Sequence, residues 1–175
     1  MQPKTVISAI AMILSYLLQV AIAPNLAIAE VVAEVTLCCS LALAYRSSPS
    51  GAILAGFSLG LMTDLAYGTP LGIRALVFCL AAFAINRLDE SQQIENLSIR
   101  YFTMVGALLA SGILTALLMS IVGYDSNVGY SLLNRTLPAW LYSSVVCLLF
   151  LPLVRAGSSR KQQAGRPLKE TLPPL

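Results

Sequence analysis

The feature that most restricts this chain is a succession of six long apolar runs with little charge inside them: roughly Val6 to Ala23, Leu26 to Tyr45, Gly51 to Tyr67, Leu71 to Arg87, Tyr101 to Val122 and Leu137 to Val154. Each is close to the ~20 residues an α-helix needs to cross a hydrocarbon layer ~30 Å thick. A soluble core could not enclose all six within 175 residues, of which 57% are apolar and 11% charged, at a mean hydropathy of +0.78. In lipid the backbone must satisfy its own hydrogen bonds, and runs of this length do so as helices. The expectation is an all-α integral membrane protein with six transmembrane helices over residues 1–155. A basic cytoplasmic tail, 156–175, with the composition of a disordered segment, follows it.

The placement of charge sets the orientation. Lys4, Arg46, Arg87, Arg100, Arg155, Arg160, Lys161, Arg166 and Lys169 fall on one side of a six-helix arrangement, and only Arg74 and Arg135 on the other. Basic loops stay in the cytoplasm, so both termini are expected there and the protein in a cytoplasmic membrane. The first run is longer than the ~7 to 15 residues of a signal-peptide core, which favours a retained helix. With no histidine, nucleophile pairs and metal sites built on imidazole are excluded. Cys38, Cys39, Cys79 and Cys147 lie inside apolar runs without ligand spacing and read as packing residues. Nothing in the pattern points to a catalytic residue, a metal, a cofactor or a nucleic-acid surface.

One stretch breaks the apolar pattern, GFSLGLMTDLAYGTPLGIRAL from Gly56 to Leu76. Gly56, Gly60 and Asp64 share one helix face at i, i+4, i+8. On the next run Gly72, Ala75, Cys79 and Ala82 make another flat face, continued by Asn86. Small faces let helix backbones approach closely, so they can be filled from within or by a partner helix. Between the two runs, Gly68 and Pro70 mark a tight turn, with Pro70 suited to open the following helix. Asp64 and Arg74 bracket that turn. With Glu34, which sits inside the second run with Glu30 one turn away, they are expected to form a polar cluster, because an intramembrane charge needs a partner or water. Ala107, Ser111 and Thr115 form a further small face on the fifth run.

The glycine-rich stretch resembles the signature of the MreD family of rod shape-determining membrane proteins, similar to G-x3-GL-x2-D-x3-G-x2-LG-x-x-AL. Gly56, Gly60, Leu61, Asp64, Gly68, Leu71, Gly72, Ala75 and Leu76 fill it in register. The resemblance implies a non-enzymatic part of the cell-elongation machinery. Its implied partners are MreC, the actin-like MreB, a SEDS glycan polymerase and a class B penicillin-binding protein. It also implies a six-helix fold like the S-components of energy-coupling-factor transporters, and it favours a partner helix on the small faces. The competing function is a solute-binding transporter subunit with Glu34, Asp64 and Arg74 lining a pocket.

Overall fold

The computed structural model describes residues 3–22, 25, 32–92, 96–123, 129 and 136–164. Among them are six α-helices and no strand: α1 (Pro3–Leu17), α2 (Val35–Ala44), α3 (Pro49–Tyr67), α4 (Ile73–Gln92), α5 (Leu97–Ile121) and α6 (Leu137–Ala164). A π-helical turn, Leu18–Ile22, continues α1.

The centre of the molecule is α2. All ten of its residues are buried, and it touches each of the other five helices. A helix apolar on every side belongs inside a bundle, and VTLCCSLALA is such a helix. The outer helices follow one another around it in the order α1, α3, α4, α5, α6, each packed on the next. Leu37, Leu41, Tyr45, Leu59, Phe78, Ile85 and Met104 fill the core between them, with Cys38, Cys39 and Cys147 as buried free thiols.

At ten residues, α2 is only about 15 Å long, half of what a spanning helix requires. The expected spanning helix over Leu26 to Tyr45 is thus corrected to its second half, while residues 26–31, including Glu30, lie outside the described residues. A helix can begin inside the bundle because side chains from its neighbours satisfy its first N–H groups. Gln19, in the π-turn, accepts from the N–H groups of Val35 (2.6 Å) and Thr36 (3.3 Å) through Oε1. The Ser143 hydroxyl on α6 accepts from the Glu34 N–H at 2.8 Å. The far end of α2 is closed by Asn86, whose Nδ2 donates to the carbonyls of Ala44 (2.8 Å) and Ser47 (3.0 Å).

Helices α3 and α4 form an antiparallel hairpin. The Ser48 side chain caps α3 by accepting from the Gly51 N–H, and Pro49 occupies the first turn, where its missing N–H costs nothing. Gly68 ends the helix at φ 61°, a left-handed conformation that glycine adopts without strain. Helix α4 begins at Ile73, so Pro70 lies in the turn rather than at the helix start expected from sequence.

Among the described residues one helix, α5, is by itself long and apolar enough to cross a membrane; α1, α2 and α6 supply shorter apolar stretches. Six helices form as the six runs predict, but of unequal length. α2 is cut short, while Gly, Ser, Thr and Asp dilute α3, and Arg, Asn and Asp do the same in α4. At the other end of the chain α6 runs Leu137–Ala164, and residues 165–175 of the expected tail lie outside the described residues.

Candidate functional site

The glycines of the hairpin seam settle how its small face is used. A Cβ on Gly56 would stand 2.7 Å from the Phe78 carbonyl oxygen, and one on Gly60 would stand 2.5 Å from Ala75 Cα. Both obstacles are backbone and cannot rotate away. Ala75 and Ala82 are wholly buried against this seam and Cys79 is half-buried. The face of Gly56 and Gly60 is therefore filled from within by α4, the first of the two occupants such a face allows, and not by a partner helix. Gly72 is different again. Nothing lies within 4 Å of where its Cβ would be, and its φ of 99° makes it a turn residue rather than a packing one.

Asp64, fully buried in the last turn of α3, explains what the turn is built around. Oδ1 accepts from the Thr69 hydroxyl (3.0 Å) and the Arg74 N–H (3.3 Å). Oδ2 accepts from the N–H groups of Gly72 (2.9 Å) and Ala75 (3.4 Å). Gly72 precedes α4 but has no side chain with which to cap it, so the carboxylate of the preceding helix takes that role. A negative charge at a helix N-terminus also meets the positive end of the helix dipole. A carboxylate has about four acceptor positions, and these four bonds use them. Asp64 is a structural cap with little capacity left for a ligand.

The expected Asp64–Arg74 side-chain pair does not form. Arg74 offers Asp64 its backbone N–H, and its guanidinium instead reaches Glu34, with Nη1 donating to Oε1 at 3.0 Å. The polar cluster of Glu34, Asp64 and Arg74 is thus connected through the two ends of one residue. Its guanidinium also lies 5.5 Å from the centre of the Tyr67 ring, a cation–π distance. Gln19 Nε2 donates to the Tyr67 hydroxyl at 2.9 Å. Below this layer the hydroxyls of Thr36 and Thr63 meet at 3.3 Å. Glu34 itself stands at the non-helical N-cap of α2, with φ −87° and ψ 73°, rather than inside a helix. Five helices therefore meet at this end: α1 through Gln19 in its π-turn, α2 through Glu34, α3 through Tyr67 and Asp64, α4 through Arg74, and α6 through Ser143.

A second polar layer closes the other end of the hairpin. Arg100 and Asp89 form a buried ion pair at 2.8 Å, with side-chain exposures of 6% and 1%. The guanidinium lies 5.1 Å from the Tyr45 ring centre, and the Tyr45 hydroxyl donates to the Arg100 carbonyl at 3.3 Å. Read from sequence, Arg100 is one of the basic residues that set the orientation. In the fold α4 continues to Gln92 and α5 starts at Leu97, which draws both side chains into the bundle. Gln19, Ser143, Asn86, Asp89 and Arg100 carry no motif; the usable signal was that Gln19 and Ser143 interrupt apolar runs.

The small face expected at Ala107, Ser111 and Thr115 turns inward: Ser111 is buried and Ala107 and Thr115 are half-buried. The exposed side of α5 is Phe102, Gly106, Ala110, Leu117 and Ile121. Trp140 Nε1 donates to the Val105 carbonyl (2.8 Å) and the Tyr101 hydroxyl to the Ser144 carbonyl (3.0 Å), joining α5 to α6.

Among the described residues the protein is all-helical, with polar groups gathered inside, large apolar side chains outside and one helix of membrane-spanning length. A family model described as rod shape-determining protein MreD matches residues 4–156, and the chain belongs to that family. No curated protein and no solved structure matches it.

Proposed function

We propose that the protein is a non-enzymatic membrane scaffold of the bacterial cell-elongation machinery. It binds MreC and, through that contact, joins MreB to a SEDS glycan polymerase and a class B penicillin-binding protein. The observation that carries this reading is the family match over residues 4–156. The fold supports it in one respect. Its buried charges, Asp64, Asp89 and Arg100, hold helices together, whereas its outer surface exposes large apolar side chains such as Ile13 and Leu17 on α1, Leu54 and Leu65 on α3, Phe102 and Ile121 on α5, and Leu141 and Leu149 on α6. In lipid such surfaces associate with other helices by close packing. The same proposal includes an S-component-like arrangement of six membrane helices, placement in the cytoplasmic membrane, and cytoplasmic termini, the last from the asymmetry of Lys and Arg.

Affinity purification from membranes in mild detergent tests it. MreC and cell-wall synthases are expected to co-purify, and cysteines on outward positions such as Leu54 or Phe102 to crosslink to MreC where Gly56 and Gly60 do not. Recovery with an ATPase pair or a tightly held vitamin, and without MreC, would replace this reading with the solute-binding one.

A further inference from the structure

The polar layer at the α3–α4 turn is saturated on one side and open on the other. Asp64 has its four acceptor positions filled, whereas the Glu34–Arg74 pair beside it does not exhaust either partner. One N–H of the five on the guanidinium reaches Glu34, through a single carboxylate oxygen. Arg74 Nε is buried with no hydrogen-bond partner among the described residues. The two side chains remain 20% and 26% exposed, so the pair is reachable from outside the bundle. Taking such a pair out of water is favourable only when its remaining donors and acceptors are met by another partner.

The surroundings narrow the ligand. Arg74 sits at the second position of α4 beside the hairpin turn, which in a membrane-embedded helix is the depth of the headgroups rather than of the acyl chains. Tyr67, braced by Gln19, holds the guanidinium from one side. Val20, Leu65 and Leu71, next in the chain to Gln19, Asp64 and Gly72, are exposed apolar residues that suit acyl chains. A planar guanidinium matches phosphate oxygens, and a carboxylate 3.0 Å away matches an ammonium. An anionic headgroup without an amine would meet repulsion from Glu34.

We propose that Glu34 and Arg74 bind the zwitterionic headgroup of a phosphoethanolamine phospholipid, phosphate on Arg74 and ammonium on Glu34. This rests on the reading of the chain as membrane-embedded and is independent of the MreC partnership. It is tested on the purified, delipidated full-length protein alone, by native mass spectrometry with phosphatidylethanolamine and phosphatidylglycerol of matched acyl chains. The expected result is several-fold preferential retention of the ethanolamine lipid. Glu34→Gln should bring that preference close to one while retaining adducts, and Arg74→Gln should lose both lipids. Arg74→Lys, which keeps the charge without the fork, should hold an intermediate amount, and a thermal melt of each variant confirms that it is folded. Equal retention of the two lipids by the wild type, or a preference that survives in Arg74→Gln, would overturn the assignment. Equal binding of soluble O-phosphoethanolamine would overturn its assignment to a lipid.

Discussion

Two carboxylates stand at opposite ends of the α3–α4 hairpin, Asp64 and Asp89, both almost without exposure, and the protein neutralises them in different ways. Asp64 accepts from three peptide N–H groups and a hydroxyl around the turn. Asp89 faces a guanidinium brought in by another helix. The first arrangement is local: acceptor and donors lie within about a dozen residues, and the motif that encodes them can be read as one string. The second depends on where α5 starts and how it packs. The same buried charge is thus a turn-building device at one end and a helix-joining device at the other.

Arg100→Ala presses this contrast hardest. It leaves Asp89 buried without its cation, and breaking such a pair costs about 3–5 kcal/mol. Loss of folded protein in detergent, read by thermal or denaturant unfolding, is the expected result. Replacing the pair together, with Asp89→Leu and Arg100→Met, should recover much of that loss. If the single and double variants were equally unstable, the pair would not be what joins α4 to α5.

Next in size is Gly60→Leu. The side chain has only α4 backbone to displace, and overpacking of this kind costs roughly 1–3 kcal/mol or more. The variant is expected to lose stability before any partner is added, measured as the melting temperature of the protein alone. Gly106→Leu, on the open outer side of α5, should leave that temperature nearly unchanged. A stable Gly60→Leu protein that had lost only its partners would restore the seam as a docking face.

Asp64→Ala strands the N–H groups at the start of α4, at about 1–3 kcal/mol, whereas Asp64→Asn keeps one acceptor oxygen and should cost less. Hydrogen exchange at Gly72, Arg74 and Ala75 reports on this directly. Equal protection in all three proteins would remove Asp64 from its capping role. The smallest effect belongs to Glu34→Gln. It removes one charge from a pair still partly exposed and should shift stability by no more than about 1 kcal/mol, a change visible in unfolding midpoints only beside the wild type.

Much of the hairpin is legible before folding. Glycines at 56 and 60 announce a close approach, Gly68 announces a turn, and a lone carboxylate in an apolar run announces an internal partner. Which atoms fill those roles is not legible, because a helix face can be completed from either side. Spacing placed the side chains of Asp64 and Arg74 together, but the N–H groups of Gly72, Arg74 and Ala75 and the Thr69 hydroxyl take the Asp64 carboxylate. That leaves the guanidinium free to reach Glu34. Gln19 interrupts an apolar run, but its partner was hidden: in the π-turn its amide meets the start of a helix that hydropathy alone draws twice as long.

Hydropathy, the distribution of glycine and the motif around Asp64 thus determined by themselves a helical, strongly apolar chain with a tight hairpin turn, since these are short-range consequences of side-chain chemistry and chain geometry. Tertiary structure alone decided that α2 is a buried half-length shaft, that the glycine seam is occupied by α4, and that Arg74 serves Glu34 while Asp89 serves Arg100. Each of those outcomes depends on which donor comes within about 3 Å of which acceptor once five helices have closed around a sixth, and no periodicity along the chain carries that distance.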